Sequence, residues 1–225
     1  MKRLLFALVF SVLALATSQR ICQAQATALL EATGQIPEHF KTYTLFLVCN
    51  PNWLAPEENQ NLYNLYMGFE SFGRAIGDDN LAVWFWKSGE RHSSVRPFAS
   101  FVDVERSVRF CQAWKLKPTS GPHIVFLSTY PDENHLSSGL PKQSAVFALG
   151  AMKQSQISDL LGKLTDQLVL TGQVVSTAPA DPQQLSPFVR LLQAVRQDIN
   201  GFGCAWTFKV NAGPASADMH ACQGG

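Results

Sequence analysis

The sequence predicts an α/β protein, a three-layer α/β/α arrangement around a mixed four-stranded sheet, with a small helix-strand extension at the C-terminus. Three observations carry this. Two strongly apolar runs, Thr42–Cys49 and Leu81–Lys87, are each succeeded by apolar residues at three- and four-residue steps, the signature of strand-helix units. Two further runs, His123–Leu127 and Ser144–Leu149, are separated only by the turn-rich stretch 131–143, so they form an antiparallel pair. An apolar content of 46% with 16% charged residues describes an ordered globular chain, and a formal charge of +1 offers no general attraction to nucleic acid.

In chain order, Met1-Lys2-Arg3 is a basic start, and Leu4–Ala16 is an apolar run of 13 residues, too short for a comfortable membrane span and right for an export signal. Ala14-Leu15-Ala16 and Ala24-Gln25-Ala26 compete as cleavage sites. Cleavage after Ala26, the favoured reading, removes Cys22 and leaves an even set of four cysteines. The signal therefore spans 1–26, and the expectation is a periplasmic or secreted protein with no stable membrane insertion after cleavage. A retained membrane anchor is the rival reading.

Thr27–Phe40 carries Leu29, Leu30, Ile36 and Phe40 at loosely helical spacing and reads as a short helix and a loop. Thr42–Cys49 is nearly all β-branched, aromatic or aliphatic, as a strand buried on both faces must be, and Asn50-Pro51-Asn52 stops it. Leu62, Leu65, Tyr66, Phe69, Phe72 and Ile76 then mark one face of a helix closed by Gly77. In the second strand Trp84 and Trp86 point one way and Phe85 the other, so both faces carry large rings. Val104, Val108, Cys111 and Trp114 face one side of the next helix. Ile157, Leu160, Leu161, Leu164 and Leu168 do so in the last, for which Ser155 is the expected N-cap. The domain is read as 27–171. A proline-bearing linker, 172–187 with Pro179, Pro182 and Pro187, leads to an extension, 188–225, with a helical stripe from Phe188 to Ile199, a strand at Cys204–Val210 and a small, polar tail.

The order β-α-β-α-β-β-α, with Val102-Asp103, Phe110-Cys111-Gln112-Ala113-Trp114, Gly121-Pro122-His123-Ile124-Val125-Phe126 and Ala148-Leu149-Gly150-Ala151, resembles the thioredoxin superfamily over roughly Thr42 to Leu170. The resemblance implies a cis bond before Pro122. It also implies a binding face built from Asn50, Asn52 and Trp53, from Gly121 and Pro122, and from the loop near Gly150. The Cys-x-x-Cys pair of that family is missing. Its place reads Cys49-Asn50-Pro51-Asn52-Trp53, and two-cysteine exchange has no second thiol there.

The implied function is that of an exported module without dithiol activity that binds an envelope protein or an extended peptide, with no cofactor and no metal. The alternative is a monothiol oxidoreductase or redox sensor acting through Cys49, and a third reading makes the segment from Pro187 a docking element. Cys49 and Cys111 read first as buried small hydrophobes and second as a disulfide. Cys204 and Cys222 are expected to pair, closing a loop that contributes about 3 kcal/mol in the chain-entropy model. Arg91, His92 and Arg96 as an anion site, and Asp132, Glu133 and His135 as a metal site, are outweighed by their reading as solvated loops.

Overall fold

The computed structural model describes residues 27–87, 97–118, 121–141, 144–150, 152–175, 207–211 and 216–220. The expected signal at 1–26, the expected anion-site residues Arg91, His92 and Arg96, the expected helical stripe Phe188 to Ile199, and Cys204 and Cys222 lie outside these residues, as does most of the expected linker, from 176 on.

A mixed sheet of seven strands, rather than four, forms the middle layer, in the order β1-β3-β2-β4-β5-β6-β7. Its first five strands are β1 (Thr27–Leu30), β2 (Thr42–Leu47), β3 (Asn80–Phe85), β4 (His123–Leu127) and β5 (Ser144–Ala148). β1, β3 and β2 run parallel; β4 and β5 join antiparallel, with Leu47 opposite His123 and His123 opposite Ala148. β6 (Thr207–Asn211) and β7 (Ser216–His220) form a hairpin whose first strand pairs with β5, so the C-terminal extension adds two strands to the sheet edge where one was expected.

The expected helix over Thr27–Phe40 is corrected: its first four residues are β1, paired with Ala82–Phe85. The apolar positions there stop at Leu30 and resume only at Ile36, too wide a gap for a helical stripe. A turn closed by Gly34 N–H donating to the Glu31 carbonyl at 2.8 Å intervenes. Close approach of β1 to the neighbouring helix depends on Gly73, where any Cβ would collide with the Thr27 methyl.

Among the described residues three helices cover the sheet: α1 (Asn59–Ala75), α2 (Val104–Ala113) and α3 (Gln154–Val175). α1 and α3 pack together over one face, with Phe46, Phe69, Trp84 and Trp86 among the buried side chains. α2 lies over the other, where Leu45, Leu47, Phe85 and Phe110 pack. Alternation along β3 sends Trp84 to the first face and Phe85 to the second, as the period of two requires. Asp103 caps α2, its Oδ1 accepting from the Arg106 backbone N–H at 3.0 Å.

Two tethers hold the α2 face. Cys49, just past the end of β2, is disulfide-bonded to Cys111 in α2, 62 positions along the chain, and both residues are buried. Closing a loop of that length contributes about 4 kcal/mol in the chain-entropy model. The second tether is Arg106, only 3% exposed, whose guanidinium lies 4.5 Å over the Phe85 ring. It donates to the Glu31 carbonyl at 2.7 Å, to the Gly34 carbonyl at 2.6 Å and to both carboxylate oxygens of Glu133. A buried guanidinium is tolerable only when so many donors are satisfied.

Candidate functional site

At the end of the sheet where β2 and β5 finish, between the starts of α1 and α3, lies a cleft of about 370 Å³. Its wall on one side is Trp53, carried by a 3-10 turn, Pro51–Leu54, with Glu58 and Asn61 from the start of α1 beside it. Met152, Lys153 and Gln154, where α3 begins, form the other side. Leu65, Ile157 and Pro122 supply the apolar interior.

Local sequence explains the Trp53 wall. Asn50 accepts the Asn52 N–H on its side-chain Oδ1 at 2.9 Å and the Trp53 N–H on its carbonyl at 3.1 Å, and Pro51 presets the first turn. Ala55 N–H then donates to the Asn52 carbonyl and Glu58 N–H to the Ala55 carbonyl, carrying the turns into α1. Opposite, the Lys153 N–H donates to Gln156 Oε1 at 2.8 Å, which satisfies an amide at the start of α3. Ser155, the expected N-cap, lies inside the helix.

The back of the cleft is a close meeting of backbones. Gly121 adopts φ 74°, and a Cβ built on it would lie 2.5 Å from the Gly150 Cα and 3.0 Å from Trp53 Cζ2. Only glycine allows that approach. The bond before Pro122 is trans, since no cis peptide occurs among the described residues, and this corrects the expectation taken from the resemblance. The left-handed backbone at Gly121 makes the reversal into β4. The Pro122 carbonyl accepts the Leu149 N–H at 2.8 Å, which joins the turn to the end of β5.

The structure thus brings together Trp53, Gly121, Pro122 and Gly150. Asn50 and Asn52 do not line the cleft; they build the turn that presents Trp53. Glu58, Asn61, Met152, Lys153 and Gln154 escaped the sequence reading because nothing in their local pattern shows that two helices begin side by side. Glu58 Oε2 accepts from Asn61 Nδ2 at 2.9 Å, so its carboxylate is held at the rim. The lining joins apolar walls to a few convergent polar groups, a composition suited to holding a ligand.

Cys49 carries no thiol here: its sulfur is bonded to Cys111 and the residue is 2% exposed, on the face of the sheet opposite the cleft. The first reading of the two cysteines, as unbonded core residues, is corrected by the same bond; the spacing of a helical stripe did not reveal which residue faced the strand end. His123 is also buried, its Nδ1 without a partner. Burial lowers its pKa to about 4, against a smaller opposing effect of a hydrogen bond with the Gly121 backbone, so the imidazole is neutral.

The Asp132, Glu133 and His135 group is split: Glu133 turns inward to Arg106, while Asp132 Oδ2 meets His135 Nδ1 at 2.5 Å. That contact, followed by the Asn134 backbone N–H, holds the Asp132 carboxyl below its ordinary range. Among the described residues no group of three or more possible metal ligands occurs, and no helix is long and apolar enough to cross a membrane.

No family model, no curated protein and no solved structure matches this chain.

Proposed function

We propose that this is an exported, thioredoxin-like protein that works without a dithiol, holding an extended segment of an envelope protein in the cleft beside Trp53. The observation that carries the reading is the convergence, in one cleft, of three stretches far apart in sequence: Trp53, the Gly121-Pro122 turn and Gly150. The unit from β2 to α3 has the order β-α-β-α-β-β-α, with α1 and α3 on one face and α2 on the other, which supports the thioredoxin-like assignment. A buried disulfide supports an oxidising compartment, hence the periplasm or the exterior.

The Pro122 carbonyl is already engaged by Leu149, so recognition falls to the side-chain walls more than to a backbone ladder at the proline. Trp53 is the natural anchor, being half-buried and aromatic.

The test is selection of phage-displayed random dodecapeptides on the purified chain, followed by anisotropy titration of the selected peptides. Loss of an aromatic anchor costs about 2 kcal/mol, which is about thirtyfold in Kd, so Trp53→Ala and Met152→Asp should weaken binding to that degree. Lys41→Ala, distant from the cleft, should leave it unchanged. Peptides that bind equally well to the Trp53 and Met152 variants would remove the cleft from consideration.

A further inference from the structure

We propose that the Cys49–Cys111 disulfide is the positioning element of the cleft: it fixes the strand end from which the Trp53 wall departs, so the wall is ordered in the oxidised chain and loosens on reduction. This rests on the reading of the cleft as the binding site and adds its regulation.

The pairing of β2 with β3 ends at Phe46 opposite Trp84, and its pairing with β4 ends at Leu47 opposite His123. Cys49 therefore lies beyond the ladder, where sheet hydrogen bonds no longer hold the chain. Beyond the packing of its buried side chain, what holds it is its sulfur, bonded to Cys111 in the last turn of α2. That helix is a firm anchor: Phe110 stacks on Phe85 with ring centroids 5.1 Å apart, and the Leu116 N–H donates to the Cys111 carbonyl at 2.8 Å. From Cys49 the chain crosses to the other side of the sheet within four residues. It does so through linked turns, Trp53 to Asn50, Ala55 to Asn52 and Glu58 to Ala55, each one N–H to carbonyl bond. A segment so braced passes a displacement at its Cys49 end on to the Trp53 ring, which rests on Gly121.

The redox step needs a dithiol. Its thiolate attacks one sulfur of the pair, forming a mixed disulfide and releasing the other protein sulfur as thiolate; its second thiol then attacks the reagent-side sulfur of that mixed disulfide and expels the remaining protein sulfur. Two electrons and two protons pass to Cys49 and Cys111, and the reagent leaves as its own disulfide. With Cys49 2% and Cys111 1% exposed, attack follows local opening, so a small reagent acts where a protein thiol is slow.

Hydrogen exchange by mass spectrometry on the full chain tests this, comparing the oxidised form, the form reduced by dithiothreitol, and the Cys49→Ala/Cys111→Ala variant. Amides of residues 50–58 should exchange at least tenfold faster in the latter two, while those of β3 and β4 keep their protection. Unchanged exchange at 50–58 overturns the proposal. Equal acceleration in β3 and β4 also overturns it, since the bond would then hold the whole sheet and not the wall. With a selected dodecapeptide, reduction should weaken binding at least threefold, and Trp53→Ala should erase that difference. Peptide binding that is equal in both redox states defeats the positioning role, whereas faster exchange at 50–58 with no peptide bound in either state defeats the peptide-binding reading alone.

Discussion

The two faces of the sheet are held by different physics. Over the α2 face lie a covalent bond, a buried guanidinium with four protein acceptor atoms, and a neutral buried histidine. Over the face covered by α1 and α3 the contacts are apolar and largely aromatic, such as Trp86 stacked on Phe101 with ring centroids 5.3 Å apart. Directional and covalent bonds fix positions, while aromatic packing supplies area and tolerates adjustment. The cleft opens at the end of the adjustable face, beside glycines, and the rigid face lies behind it. On the proposed reading, the walls of the cleft can then adapt to a bound segment without disturbing the sheet.

The hardest way to break the contrast is Arg106→Met. It removes the donors serving Glu31, Gly34 and Glu133, leaving a partly buried carboxylate with only the exposed Arg109 at 4.0 Å; breaking such a buried pair costs about 3 kcal/mol. Urea denaturation should show that loss, and Arg106→Met/Glu133→Gln should recover part of it. A loss below 1 kcal/mol would mean that the α2 face does not depend on this hub.

His123 gives the same face a pH dependence. Its folded pKa of about 4 lies below the ordinary value of 6.5, so its contribution is fully present above pH 6.5 and is lost as pH falls toward 4. Each unit is worth about 1.4 kcal/mol, so from pH 6.5 to 5 this residue removes about 2 kcal/mol. Stability measured against pH in the native chain and in His123→Leu should diverge by that amount over this interval. Parallel curves would mean that the ring is accessible to a proton when folded.

How far the sequence reached follows from the same contrast. Strands β2 to β5 and the three helices among the described residues were legible, because burial on both faces leaves continuous apolar runs and one-sided packing leaves a helical stripe. That Trp53, Gly121, Pro122 and Gly150 would meet was expected from the family resemblance, and the structure places them together. β1 was not, since four residues at a sheet edge carry too little pattern. The hairpin partner Ser216–His220 was hidden by its small and polar residues. Arg106 was invisible for another reason: its acceptors lie 72 to 75 positions earlier and 27 later, and only the closed fold brings them together.

At the cleft, Gly121→Ala should cost about 2 kcal/mol, because the left-handed backbone strains any side chain and the new methyl would meet the Gly150 Cα. Since the obstacle is backbone, Gly150 and Trp53 must shift, and peptide affinity should fall together with stability. A variant that keeps its melting temperature but loses the peptide would show that the contact of the two glycines shapes the site without supporting the fold.

The smallest effect has the opposite sign and falls on the adjustable face. Gly162 is exposed in the middle of α3, and a Cβ there meets nothing within 4 Å, unlike Gly68, whose added Cβ would lie 2.8 Å from Leu161 Cδ1. Alanine at Gly162 restricts the unfolded chain and favours the helix without touching a neighbour, a gain of about 0.5–1 kcal/mol. For a chain of this size that raises the melting temperature by about 2 °C. Gly68→Ala on the facing helix should gain less or turn destabilising, because Leu161 has to move aside. If the two variants behaved alike, the seam between α1 and α3 would be looser than the Gly68–Leu161 distance implies, and the adjustable character of this face would extend from its mouth along its whole length.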